Sequence, residues 1–136
     1  MTQARLIRRV RFRAEHHYAR SDWPEEENRR VFGPQVDAHV HDWMVEIHVV
    51  GPMDEATGFV TDLAALDAAL AALMTGWDGG DLNLLVPEVA DGAMQPTTES
   101  LARWLHQRLE DGMRPPARLA EVAVFESPDL GARYPA

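Results

Sequence analysis

His39-Val40-His41-Asp42-Trp43-Met44-Val45-Glu46-Ile47-His48-Val49-Val50 is the stretch that decides the fold. His39, His41, Trp43, Val45, Ile47 and Val49 share one parity and their neighbours the other, the alternation of a strand with one face on a core. Residues 4–16 repeat it: Leu6, Val10, Phe12, Ala14 and His16 alternate with Arg5, Arg9, Arg11, Arg13 and Glu15. Both strands carry histidines on the apolar side, at the end where the apolar run stops. Side chains two apart on a strand point the same way, so His39 and His41 offer two imidazoles to one ion while His16 arrives from a neighbouring strand. Three protein nitrogens and a vacant position for water or substrate are the donor set of an open zinc site.

Working outward, residues 19–38 hold Pro24, Gly33, Pro34 and the run Glu25-Glu26-Glu27, which predicts an irregular excursion with one helical turn. Gly51-Pro52 closes the second strand and Ala56-Thr57-Gly58 makes a turn. Leu63, Leu66, Leu70, Leu73, Met74 and Trp77 then fall at helical spacing, with Thr61 or Asp62 available as the cap. Residues 76–96 are rich in Gly, Pro and Asp and predict loop. A second helix opens at Pro96-Thr97-Thr98-Glu99, buries Leu101, Trp104, Leu105 and Leu109, and ends before Pro115-Pro116. Leu119 to Ser127 alternate as a third strand, and a short fourth runs through Arg133-Tyr134. The order ββααββ predicts an α+β fold, a four-stranded antiparallel sheet with two helices on one face. Its open edges invite pairing with another copy, so a homo-oligomer is expected. His48, of opposite parity to the pair, and His106, beside the second helix's stripe, read as surface or interface histidines.

A length of 136 residues fits a single domain spanning 1–136, and 46% apolar with 26% charged residues is an ordinary globular balance. No run approaches the ~20 apolar residues of a membrane span, and Met1-Thr2-Gln3-Ala4-Arg5-Leu6 lacks a signal-peptide core, so no membrane partner and a cytoplasmic address are expected. The chain has no cysteine, which excludes disulfides, thiolate ligands and a cysteine nucleophile or base. It has no lysine either, all 13 basic residues being arginine, which excludes Schiff-base chemistry. A net charge of −9 argues against nucleic-acid binding. Arg5, Arg8, Arg9, Arg11 and Arg13 still leave guanidinium partners for a small anionic substrate.

Several motifs follow one another in a set order: Phe12-x-Ala14-x-His16, Glu26-Glu27-Asn28, Phe32-Gly33, His39-x-His41, Asp54-x-Ala56-Thr57-Gly58-x-Val60, Asp78-x-x-x-Leu82-Asn83, Pro96-Thr97-Thr98-Glu99 and Glu126. Together they resemble the 6-pyruvoyltetrahydropterin synthase family, which includes the 6-carboxytetrahydropterin synthases, over roughly residues 10–134. The resemblance implies a T-fold (tunnelling fold), in which protomers join their sheets into a barrel as a hexamer of two trimers with active sites between subunits. It implies zinc on His16, His39 and His41, with the side-chain hydroxyls of a dihydropterin taking the open position. It further implies that Glu126 accepts two parallel N–H bonds from the pterin's guanidine-like edge, with Thr97, Thr98 and Glu99 completing the pocket. Thr97 and Glu99 also suit a helix start, and both roles are compatible.

The chemistry implied is that of a lyase acting on 7,8-dihydroneopterin triphosphate or a related dihydropterin, opened by proton removal beside a zinc-bound oxygen. In the family a cysteine takes that proton and an Asp-His pair relays protons on the other side. Here the chain departs: Gln35 stands at the cysteine position and Gly79 at the relay histidine, with Asp78 kept. An amide has no useful basicity at neutral pH. His17, Asp37, Asp81 and a zinc-bound hydroxide are the candidate replacements. The alternative is a zinc- and pterin- or purine-binding T-fold protein without turnover.

Overall fold

In a computed structural model, which describes residues 2–136, four strands form one antiparallel sheet in chain order: β1 (Gln3–His16), β2 (His39–Pro52), β3 (Arg118–Ser127) and β4 (Leu130–Tyr134). The β1–β2 register sets His16 opposite His39, Ala14 opposite His41 and Phe12 opposite Trp43. Because the side-chain period is two, that register puts all three histidines on one face, and a slip of one residue would send β1's set to the other.

Helices α2 (Leu63–Leu73) and α5 (Thr98–Glu110) cover this face. Phe12, Trp43, Val45, Ile47 and Val49 from the strands join Leu66, Leu70, Leu101 and Leu105 from the helices in one buried core. Each such side chain stabilises the fold by roughly 1.5–3 kcal/mol when fully buried. Asp62 accepts from the Ala65 N–H at 3.0 Å and caps α2, while Thr97 accepts from the Ser100 N–H at 3.0 Å and caps α5.

Two connections are more ordered than their composition predicts. The excursion expected to hold one helical turn contains α1 (Glu25–Phe32), eight residues with three glutamates in the first turn and Arg29-Arg30 in the last, an order that complements the helix dipole. Gly33, at φ 62°, stops it in a conformation that favours glycine. The expected loop at 76–96 contains α3 (Leu82–Leu85) and α4 (Pro87–Ala90). Asp81 caps α3 through the Asn83 N–H, Pro87 starts α4, and the pair buries Leu82, Val86 and Val89. Glu88 accepts from the Trp104 indole N–H and the Arg108 guanidinium, tying α4 to α5.

His48 and His106, expected at the surface or an interface, are both buried within the chain, at 5% and 6% exposure. His48 lies on the sheet's other face among Glu46, Arg5 and Glu121, and His106 packs its ring edge-on to Tyr134 at 5.3 Å. The free edge of β1 is closed where it reaches His16. The Arg13 N–H donates to Asp78 Oδ1 (3.0 Å), the Gly79 N–H to the Arg13 carbonyl (2.6 Å) and the Glu15 N–H to the Gly80 carbonyl (3.0 Å). The Asn83 amide then takes both the N–H and the C=O of His17, at 2.9 and 3.0 Å. Among the described residues no helix is long and apolar enough to cross a membrane.

Candidate metal centre

His16, His39, His41 and Glu126 each bring one ligand atom into a group whose members lie within 4.8 Å of one another. Three strands supply them: His16 ends β1, His39 and His41 begin β2, and Glu126 stands near the end of β3. Trp43 forms the adjoining wall, its ring 4.8 Å from that of His16 and its indole N–H donating to the Ala14 carbonyl at 3.0 Å.

Backbone carbonyls fix how the imidazoles face. His16 Nδ1 lies 2.9 Å from the Pro96 carbonyl and His39 Nδ1 lies 2.8 Å from the Asp37 carbonyl. A carbonyl only accepts, so each Nδ1 carries a proton and each Nε2 is turned toward the group. Burial holds His16 neutral, its pKa lowered to about 4, with the Pro96 bond opposing the shift and the neighbouring histidines adding to it. Burial lowers His41 as well, although the charge of Glu126 pulls the other way.

The test of whether these residues fit a zinc ion is the Nε2 of His16. It is buried and has no hydrogen-bond partner. Buried polar atoms are paired in almost all native structures, and a neutral Nε2 lone pair facing two further imidazoles and a carboxylate lacks only a cation. The donor set fits.

Other residues singled out in the sequence separate into two groups. Thr97 caps α5, and Thr98, buried at its start, donates its hydroxyl to Glu99 Oε1 at 2.7 Å. Pro96 joins this helix start to the histidines through His16. Asp78 is held by the Arg13 N–H on the β1 edge and is outside the histidine group. Gln35 is exposed, and its carbonyl receives the Tyr18 N–H at 3.0 Å. Gly79 is exposed at φ 78°, a turn conformation that favours glycine. Asp37 faces Arg29 at 3.4 Å, and Asp81 caps α3.

Tyr18 was not anticipated. Its ring lies edge-on to His16 at 5.0 Å and near Phe32 at 5.8 Å. Burial first, then the charges of Glu126 and Glu99, push its phenol well above the usual range, so it stays protonated. The only signal was an aromatic two residues beyond His16, past the end of β1, where parity no longer carries information.

The chain matches the family model described as 6-pyruvoyl tetrahydropterin synthase over residues 5–136. It belongs to that family. The human protein named 6-pyruvoyl tetrahydrobiopterin synthase is 34% identical over 128 residues, covering 92% of this chain and 86% of its own. The dihydroneopterin monophosphate aldolase of Pyrococcus furiosus is 24% identical over 129 residues and 95% of each chain. In fold, the Caenorhabditis elegans 6-pyruvoyl tetrahydropterin synthase superposes with a TM-score of 0.86 over 98% of this chain and 96% of its own, at 24% identity. The T-fold protomer expected from the motifs is the one observed.

Proposed function

We propose that this member of the family is a zinc-dependent, lyase-type enzyme acting on 7,8-dihydroneopterin triphosphate or a related dihydropterin with non-standard proton-handling groups, its residues 1–136 forming one domain. The observation that carries the reading is the convergence of two further imidazoles and Glu126 on a buried, unpartnered His16 Nε2. His16, His39 and His41 would hold the metal, which when bound stabilises negative charge developing beside a coordinated side-chain oxygen.

The chain's own groups do the rest. Glu126 accepts N–H bonds from the pterin edge. Thr97, Thr98 and Glu99 bring the start of α5 to the same pocket, and the protonated Tyr18 offers a phenol O–H. Gln35 cannot take a proton and Gly79 has no side chain to relay one. Of the side chains that could stand in, Asp37 and Asp81 are committed to Arg29 and to the α3 cap, and Asp78 to the edge of β1. His17, bonded here through its backbone to Asn83, is the remaining base. The family includes proteins named for two different reactions, and retro-aldol cleavage of the pterin side chain is within the scope of the same donor set. Homo-oligomeric assembly with sites between subunits, and a cytoplasmic address, belong to this reading.

Gln35 and Gly79 favour a second reading, a zinc- and pterin-binding protein without turnover. Zinc-loaded protein incubated with 7,8-dihydroneopterin triphosphate separates the two. Release of triphosphate or of a two-carbon aldehyde, identified by mass spectrometry, marks a lyase; bound and unaltered pterin marks a binder.

A further inference from the structure

The least expected placement is that of Glu126. It reaches into the histidine group, with Oε2 at 3.1 Å from His41 Nε2 and 3.3 Å from His16 Nε2, and His39 within 4.8 Å. With His16 donating from Nδ1 to Pro96, its Nε2 presents a lone pair to a carboxylate oxygen that also presents lone pairs. Two acceptors that close repel unless a cation stands between them. Tetrahedral zinc with nitrogen and oxygen ligands at 2.0–2.1 Å has ligand-to-ligand edges of roughly 3.3 Å. The two separations from Glu126 are of that size, and the residue is only 6% exposed.

We propose that in the pterin-free protein Glu126 is the fourth ligand of the metal, closing the site, and that a pterin must displace this carboxylate before the carboxylate can anchor it. The inference rests on the functional reading above and deepens it. Binding is then an exchange at one residue: the carboxylate oxygen leaves the metal, a substrate oxygen takes its place, and the freed carboxylate turns to the ligand's N–H groups. Zinc is held more tightly without pterin than three histidines alone would hold it. Pterin binds less tightly than its contacts would give, because a metal–carboxylate bond is broken first. A resting site closed in this way also keeps stray anions and water from the open position.

The test is zinc affinity in the absence of any pterin, measured against a competing chromophoric chelator. Glu126→Gln and Glu126→Ala are each expected to lose at least about tenfold, the lower end of what second-sphere partners already produce. Glu46→Gln, a buried carboxylate on the other face of the sheet, is expected to lose none. Cobalt(II) in place of zinc should give a visible spectrum that changes on adding neopterin to the parent, and that differs between the parent and Glu126→Ala before pterin is added. Far-UV circular dichroism of the metal-free variants checks that both are folded. A Glu126→Ala protein with parental zinc affinity and an unaltered cobalt spectrum overturns the proposal and leaves the pterin-lyase reading untouched. If the parent binds zinc but no pterin, and Glu126→Ala loses zinc affinity, the carboxylate ligand stands and the pterin reading falls.

Discussion

Two clusters of histidine and carboxylate lie on opposite faces of the same sheet, and they differ in whether the imidazole nitrogens are paired. On the open face His48 Nε2 meets Glu46 Oε1 at 3.0 Å and its Nδ1 meets Arg5 Nη1 at 3.4 Å. Arg9 Nε donates to Glu46 at 2.9 Å, and Arg5 and Arg133 stand against Glu121 at 3.4 and 3.5 Å. Every nitrogen of that histidine has a partner and each carboxylate faces a guanidinium, while Glu121 Oε2 accepts no hydrogen bond and is balanced by charge alone. On the covered face no arginine approaches His16, His39, His41 or Glu126 among the described ion pairs, and His16 Nε2 is orphaned. Both clusters are buried and both mix the same residue types. The pairing of the imidazole nitrogens with charged partners, rather than composition or burial, tells this ion network from a candidate metal centre.

The sharpest break of that comparison is removal of one histidine from each cluster. His39→Ala is expected to lower zinc affinity by at least about a hundredfold, since it deletes a donor rather than a donor's support. His48→Ala should leave zinc stoichiometry unchanged and lower stability instead. Elemental analysis after dialysis against a chelator reads the first and urea denaturation the second. Equal zinc loss in both would erase the distinction.

Acid should also divide the faces. Burial holds the folded pKa of His16 at about 4, below the 6.5 of a free imidazole. Between those values the unfolded chain binds more protons, so this contribution to stability is complete above about pH 6.5, falls as pH drops and levels off near pH 4. The metal-free protein should lose about 3 kcal/mol from this group over that window. Urea midpoints against pH give the loss, and an NMR titration of the His16 ring assigns it. A ring that titrates near 6.5 would mean that His16 is solvated.

These contrasts show what could be read in advance. Strict parity in β1 and β2 gave the faces, and the leucine stripes at helical spacing gave α2 and α5, because each buries one side against a core. The helices α3 and α4 are four residues each, too short for a period to show, and hang on the Asp81 cap and Glu88. At the centre, the histidines were legible from spacing. The carbonyls of Pro96 and Asp37 that orient them carry no side-chain signature. The approach of Glu126 to His41 depends on how three strands end together, which no local pattern records. His48 is buried because parity gives the face of a strand, not whether neighbours cover it, and His106, beside the stripe of α5, is covered by Tyr134 of β4.

A smaller effect is expected on the open face. Glu46→Gln keeps the shape but gives up the charge facing Arg9 and His48, and hydrogen bonds to charged groups contribute about 1.5–3 kcal/mol. Arg9 is half exposed, which favours the lower end. Zinc affinity should not move. A double-mutant cycle with Arg9→Ala reads the coupling, and its absence would show that His48 alone supports Glu46.

The smallest effect tests how far support for the centre reaches. The Thr97 hydroxyl caps α5 through the Ser100 N–H, and the residue before it, Pro96, offers the carbonyl that orients His16. Thr97→Ala should cost about 1 kcal/mol, the usual value of a lost N-cap, and fray the first turn. Because Pro96 sits at that turn, His16 would be held less firmly, and zinc affinity should fall by less than the roughly tenfold that outright removal of a second-sphere partner produces. Serine keeps the capping oxygen, so Thr97→Ser should recover both stability and zinc affinity. Pterin affinity measured on the same pair separates the two roles of the residue. If serine restores the fold and the metal but pterin remains weakened, the threonine methyl lines the pocket. If all three recover together, Thr97 acts through the cap alone, and the pocket at the start of α5 is carried by Thr98 and Glu99.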